Sequence, residues 1–457
     1  MLICIFYIKK YIKSIDLIIY SYCKITKYMI YYFRILKIWG GYMKTVLEKI
    51  DANKIDFDST VKYMVDKITE ICEKIGPRAP GSKEEYEAQK SMAKDLEKWS
   101  DTVEIEGFTV HRQAFMGFIP FTVAMAILAT LFFFKYPLVS LILTILGFIP
   151  LILEFLMYKQ FVDPLFIGHP SHNVIATRKA TGETKKRIIF VGHSDSQYEW
   201  ILNYKLGGVG MKLFLIPGVV GLIICSIASL IKFIVLDLKG IDNPSVDTFF
   251  LVVGIFLCIF IIPYIGFLFL QSFTKSVPGA NDNLSGCLAS MSVLKHLAEA
   301  DVRFENTEVR VILTGSEEAG LRGAKAYAKA HEKELKEVET VVVACDTMRD
   351  LEYMYVYDRD LSGTLKHDKQ AKELMRNAGL NCGYDFKYSS IYLGACDAAA
   401  FTQRGIKATG FAAMDPTPPR YYHTRLDTPE LLVPEALKIG SQVMLEAAFL
   451  YDAEGLK

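Results

Sequence analysis

The chain has 457 residues, room for roughly two or three ordinary domains, and 51% of them are hydrophobic, a high share for a purely soluble protein. Its formal net charge of +1, with no basic stripe, excludes nucleic acid as an evident partner. The nine cysteines are odd in number, scattered and without a Cys-x-x-Cys pair, so they indicate neither a disulfide framework nor a thiolate zinc site.

Residues 1–42 are rich in Ile, Tyr and Lys, and Lys9, Lys10, Lys13, Lys24, Lys27 and Lys37 interrupt every apolar run. No uninterrupted stretch of about 20 apolar residues lies there to cross a membrane, nor does the core of a signal peptide. The expectation is that Met43 is the true start; the alternative is a basic, aromatic segment lying on a membrane surface.

From Asp58 the pattern is globular. Val61, Val65, Ile68, Cys72 and Ile75 share one helical face, and Gly76-Pro77-Arg78-Ala79-Pro80-Gly81-Ser82 ends it. A second amphipathic helix carries Ala88, Met92, Leu96 and Trp99, and residues 102–108 alternate like a strand. Residues 115–134 hold no charge, Lys135-Tyr136-Pro137 makes a turn, and 138–157 is apolar except for Glu154. A second apolar pair follows at 213–231 and 249–270. Each segment is near the ~20 residues a bilayer core requires, so two transmembrane hairpins are expected, at 115–158 and 209–272. They interrupt one domain assembled from 43–114, 159–208 and 273–457.

Strands at 173–177, 187–191, 309–313, 340–344 and 406–411 alternate with helices near 285–300, 321–335, 367–378 and 434–450. The expected fold class is α/β, a mostly parallel mixed sheet sandwiched by helices, plus four transmembrane helices. Several strands run into potential metal ligands: Gly192-His193-Ser194-Asp195-Ser196, then Ser316-Glu317-Glu318, then Cys345-Asp346. Asp282 stands in Gly279-Ala280-Asn281-Asp282-Asn283 before a helix, and His423 in Tyr421-Tyr422-His423-Thr424. A helix dipole alone can favour acids such as Glu317 and Glu318. In an open α/β sheet, however, strand-end loops gather at one edge, where ligands bind. Two imidazoles and three carboxylates without thiolate suit zinc, with manganese or cobalt as alternatives. Five ligands exceed what one tetrahedral zinc uses, so two ions sharing one carboxylate is the economical arrangement.

The ordered set GHSDS, GANDNLSG, SEEAGL, CDTM and YHTRLDT resembles the M28 family of zinc aminopeptidases, and Gly76-Pro77-Arg78 with Gly81-Ser82 is similar to that family's opening. The resemblance implies a dizinc centre with His193, Glu318, Asp346 and His423 as terminal ligands and Asp282 as the bridge. It implies Glu317 as general base, Asp195 as the group orienting His193, and Tyr422 as a help to the developing oxyanion. The implied substrate is a peptide with a free N-terminus, and the implied mechanism is hydrolysis in which a water between the ions gives its proton to Glu317.

The sequence departs from the family at Gly394-Ala395-Cys396-Asp397-Ala398, where Cys396 and Ala398 replace the usual serine and histidine, and at the hairpin between GHSDS and GANDNLSG. Alternatives are a glutaminyl-cyclase-like or other amide hydrolase of the same fold, or a non-catalytic membrane receptor or scaffold. Asp397 and Asp427 are expected to brace loops around the site. Lysines and arginines flanking the domain side favour a multi-pass cell-membrane protein with a cytoplasmic catalytic domain. Oligomeric state and residue preference are not written in the sequence.

Overall fold

Alternation along the central strands decides the architecture. Ile188 and Phe190 belong to the core on one side of the sheet, Ile189 and Val191 to the core on the other, and all four are fully buried. Both faces therefore need a helical layer.

A computed structural model describes residues 54–391 and 393–457; the segment 1–42 and the start expected at Met43 lie outside the described residues. The strands are β1 (Thr102–Val110), β2 (His169–Arg178), β3 (Lys186–His193), β4 (Thr307–Thr314), β5 (Glu339–Met348), β6 (Met354–Asp360), β7 (Leu365–Lys366), β8 (Lys387–Ser390) and β9 (Lys407–Ala413). Among the described residues they form one sheet in the order β1-β2-β4-β3-β5-β9-β6-β7, with β8 beside β6. Strands β4, β3, β5 and β9 are parallel, while β1, β2 and β6 run antiparallel to their inner neighbours.

The main helices of the domain are α1 (Phe57–Lys74), α2 (Lys83–Leu96), α3 (Gly286–Glu299), α4 (Arg322–Ala330), α5 (Lys369–Asn381) and α6 (Pro434–Glu454). Helix α4 packs on one face with the short helix Ala398–Thr402, and the other five cover the opposite face. Asp56 caps α1 by accepting from Ser59 N at 2.9 Å, and Ser82 caps α2 by accepting from Glu85 N at 3.1 Å.

Among the described residues four helices are long and apolar enough to cross a membrane: Ala114–Phe132, Pro137–Leu156, Ile201–Leu238 and Pro244–Phe267. The third starts at Ile201 rather than at 209. Gly207, at φ 71° and ψ 172°, breaks its helical path, so the Gly207-Gly208 pair is a kink inside the element instead of its beginning. The helix expected over 321–335 is divided at His331 into Arg322–Ala330 and Glu332–Glu337. There the imidazole stacks on Tyr327 at 4.4 Å and meets Glu334 and Glu106 at 2.9 and 2.8 Å.

Glu154, the charge within the first hairpin, is fully buried and tied to the domain. Arg322 Nη2 donates to Glu154 Oε1 and to Asp163 Oδ1, both at 2.7 Å, and Phe161 N donates to Glu154 Oε2 at 2.8 Å. A carboxylate in an apolar hairpin is tolerated only with such partners. Replacing Arg322 by leucine strips the counter-charge from two carboxylates. The Arg322→Leu variant is expected to lose roughly 3–5 kcal/mol of stability, read as a lower midpoint of thermal unfolding in detergent. An unchanged midpoint would show that this pair does not hold hairpin and domain together.

Candidate metal centre

The parallel register brings the ligands to one edge. His193 is the last residue of β3 and pairs with Thr314 at the end of β4, so the turn carrying Glu317 and Glu318 starts beside it. Asp346 lies near the end of β5, level with Ala412 of β9. Asp282 comes from the segment before α3 and His423 from the loop that follows β9.

All five candidate ligands meet. His193 Nε2 lies 3.2 Å from Asp282 Oδ1 and 3.9 Å from both Asp346 Oδ1 and Glu317 Oε2. His423 Nε2 lies 2.9 Å from Asp282 Oδ2 and 3.2 Å from Glu318 Oε1. Asp282 thus turns one oxygen to each imidazole, with Asp346 beside the first and Glu318 beside the second.

The residues fit a cationic occupant. Asp282 Oδ2, Glu318 Oε1 and Asp346 Oδ1 are buried, yet none accepts a well-directed hydrogen bond among the described residues, and orphaned buried acceptors require compensation. The imidazoles presently supply it. Burial opposes charge on His193, but Glu317, Asp195, Asp282 and Asp346 hold it well above the ordinary imidazole range. Burial likewise opposes charge on His423, while Glu318 and Asp282 carry it up to about 10. Burial raises Glu317 far above a normal carboxyl, with Glu318 and Asp397 adding to it against the pull of His193.

The supporting shell is built from carboxylates that accept backbone N–H groups. Asp195 stands 3.4 Å from His193 Nδ1, and its two oxygens accept the amides of Glu317 and Glu318 at 3.0 Å each. It therefore positions the two glutamates as well as the imidazole. Asp427 accepts the amides of Asn281 and Asp282 at 2.8 and 3.0 Å, which is the bracing expected of it. Asp397 accepts from Thr314 Oγ1 at 2.5 Å. Ser316, Thr347 and His423 all adopt positive φ, of 54°, 44° and 55°, an uncommon conformation for residues other than glycine.

Gln197, Glu85 and Trp200 gave no sign of a site role in the sequence. Gln197 Nε2 donates to Glu318 Oε2 at 2.6 Å. Glu85, three residues past Ser82, accepts the Ser316 amide at 2.6 Å. Arg78 is fully buried and donates to the carbonyls of Ser194, Pro278 and Gly279 at 2.7 to 2.8 Å, so the Gly76-Pro77-Arg78 break has a job: it joins two ligand loops. Trp200 stands edge-on to His423 at 4.5 Å, and Tyr422 stacks on the same ring at 3.7 Å. A cavity of ≈ 60 Å³ opens onto the ligands, and Phe115, Met116 and Phe155 of the first hairpin and Tyr158 just beyond it form part of its wall. Cys396 is not at the ligands: its thiol donates to Asp360 Oδ2 at 3.0 Å beneath the pocket floor of Gly394 and Ala395.

Residues 269–448 match the sequence family described as Peptidase family M28. That stretch of the chain is similar to an M28 peptidase domain. The matched part of that domain contains Asp282, Glu317, Glu318, Asp346, Tyr422 and His423, whereas His193 and Asp195 precede it, beyond the second hairpin. Aminopeptidase YwaD of Bacillus subtilis (strain 168) is 28% identical over 179 residues, which are 38% of this chain and 37% of that relative. The zinc aminopeptidase BSAP from Bacillus subtilis superposes with a TM-score of 0.50 and 17% identity, covering 86% of this chain and 95% of that one, which shows the shared fold. Bacteroides thetaiotaomicron glutaminyl cyclase, solved with N-acetylhistamine, gives 0.49 and 15%, with 86% and 97% covered.

If Asp427 sets the Asp282 backbone, its loss weakens metal binding without touching a ligand. Asp427→Ala is expected to lower metal affinity by about 10–100-fold, measured by competition with a chromogenic chelator. Affinity equal to wild type would leave Asp427 a mere loop brace.

Proposed function

We propose that the chain is a membrane-embedded aminopeptidase that holds two divalent cations, zinc foremost, and removes N-terminal residues from peptides. The observation that carries this reading is Asp282, whose two oxygens face separate imidazoles that each have an acid of their own. The M28 match and the aminopeptidase activity printed for the Bacillus relative agree with it.

His193 and Asp346 would hold one ion, His423 and Glu318 the other, and Asp282 both. When bound, such ions supply Lewis-acid activation of water and of the scissile carbonyl. Glu317 takes a proton from the attacking water and delivers it to the leaving amine, a task suited to a carboxyl raised by burial. Asp195 keeps that base and its neighbour in place through their amides. Tyr422, on the pocket wall, offers its hydroxyl to the developing oxyanion. The substrate's amino group is received by the acids of the site. Its apolar portion rests on Phe115, Met116 and Phe155, so peptides reach the centre at the membrane surface.

Outward faces of the apolar helices support the membrane assignment: Leu213 and Ile262 are 68% exposed, Ile255 and Ile216 59%, a surface suited to lipid. Arg112, Lys159, Lys205, Lys212 and Lys275 flank the domain side, against Lys135 and Lys239 at the hairpin tips, which favours a cytoplasmic domain. A cysteine placed by Gly240→Cys should then react with an impermeant maleimide on intact cells; reaction only after permeabilisation would invert the topology.

Replacing the base tests the chemistry. Glu317→Gln should cut kcat by about 10²–10⁴ on an aminoacyl chromogenic substrate while metal content stays at the wild-type level. Undiminished turnover would remove Glu317 from its role. Metal analysis should give roughly two equivalents for wild type and one for His193→Ala or His423→Ala. A single equivalent in wild type would favour the one-zinc cyclase-like reading.

A further inference from the structure

A second pocket lies on the far side of Tyr158 from the metal centre. It measures ≈ 440 Å³, and Lys159, Arg322, Lys325, Lys329 and Arg404 line it without a single acid in its wall. Behind that wall, Arg322 is paired with Glu154 and Asp163, and Arg404 with Glu332 at 2.6 Å. Four cations besides Lys325 stand against three carboxylates, which leaves positive charge in excess. Lys159 and Lys329 are exposed and form no ion pair among the described residues. Lys325 donates only to the carbonyls of Tyr158 and Gly320.

The more telling group is Arg322. It is 2% exposed, and its Nε and Nη1 have no acceptor among the described residues although Nη2 serves two carboxylates. A buried guanidinium with two idle donors keeps hydrogen-bonding capacity for an anion. Burial and the neighbouring Arg322 charge pull Lys325 down to about 7, as befits a cation short of a counter-charge.

Location identifies the anion's source. Lys159 lies less than one turn beyond Leu156, where the second apolar helix ends. The chain that follows exposes Phe161 at 51%, Leu165 at 81% and Ile167 at 80%. Apolar side chains standing out beside a helix end and a ring of lysines match the acyl and headgroup layers of a bilayer. We propose that this pocket binds the phosphate group of an anionic lipid headgroup, with Arg322 as the buried anchor and Lys159, Lys325, Lys329 and Arg404 around it.

The test uses the full chain in its metal-loaded form. Wild type and a Lys159→Gln/Lys329→Gln variant are reconstituted in nanodiscs of phosphatidylcholine alone or mixed with phosphatidylglycerol. Retained lipid is counted by native mass spectrometry, and inorganic phosphate binding to the phosphatidylcholine discs is measured by calorimetry. Wild type should retain phosphatidylglycerol in preference to phosphatidylcholine. The double variant, with unchanged metal content as the check on folding, should lose that preference at least tenfold. Variant-sensitive phosphate binding without lipid preference upholds the anion site and reassigns its ligand to free phosphate. Wild type and variant behaving alike toward both probes overturns the site, since phosphate held at the metal centre would be indifferent to these lysines.

Discussion

Burying Asp282, Glu317 and Glu318, with the half-buried Asp346 beside them, around two imidazoles concentrates more negative than positive charge where water relieves it little. Four carboxylates in so small a volume repel one another by several kcal/mol at any realistic effective dielectric, and the surrounding fold has to hold them there nevertheless. It does so by fixing backbone rather than by crowding side chains. Asp195 and Asp427 each clamp two consecutive amides, and Arg78 joins the loops of His193 and Asp282 through three carbonyls. The result is a rigid cage of acceptors whose electrostatics invite cations.

This arrangement separates two tasks within each motif. In Glu317-Glu318 the first side chain faces His193 and the second faces His423. Adjacent residues can diverge in this way because Ser316 takes a positive φ and Glu85 holds its amide. Glu85 is also the third residue of α2, inside the capping turn opened by Ser82. A helix start some 230 residues earlier in the chain, as Glu85 and Ser316 stand |i−j| = 231 apart, thereby sets the turn on which the proposed base depends.

The meeting of the candidate ligands was legible in the sequence because parallel strands impose a simple rule: an apolar β-branched run followed by a polar residue places that residue at the common edge. His193, Glu318 and Asp346 obey it, and the order of β4, β3 and β5 brings them side by side. Glu85, Gln197 and Trp200 obey no such rule. Their roles come from long-range closure, which local pattern cannot carry. Strands β6, β7 and β8 were missed for a related reason: in β6, Tyr355, Asp358 and Arg359 break the apolar alternation that marked the inner strands. The kink at Gly207 inside the third apolar helix was not anticipated. A glycine in the left-handed region can bend a helix path that resumes on the other side.

Both ends of the first hairpin take part in the candidate site. Its entry places Phe115 and Met116, and its exit Phe155 and Tyr158, on the wall of the ligand cavity. Its internal acid, Glu154, is bound by Arg322, four residues past Glu318 on the same turn-to-helix segment. Arg322 N also bonds Ser316 O at 3.1 Å, closing that segment into a compact unit. Displacing the hairpin would therefore pull on the segment that holds two of the acids at the centre. In this chain the pocket wall and one end of the glutamate turn include residues at the two ends of the first apolar hairpin. Geometry at the metal edge and seating of the first hairpin are accordingly one structural variable, not two.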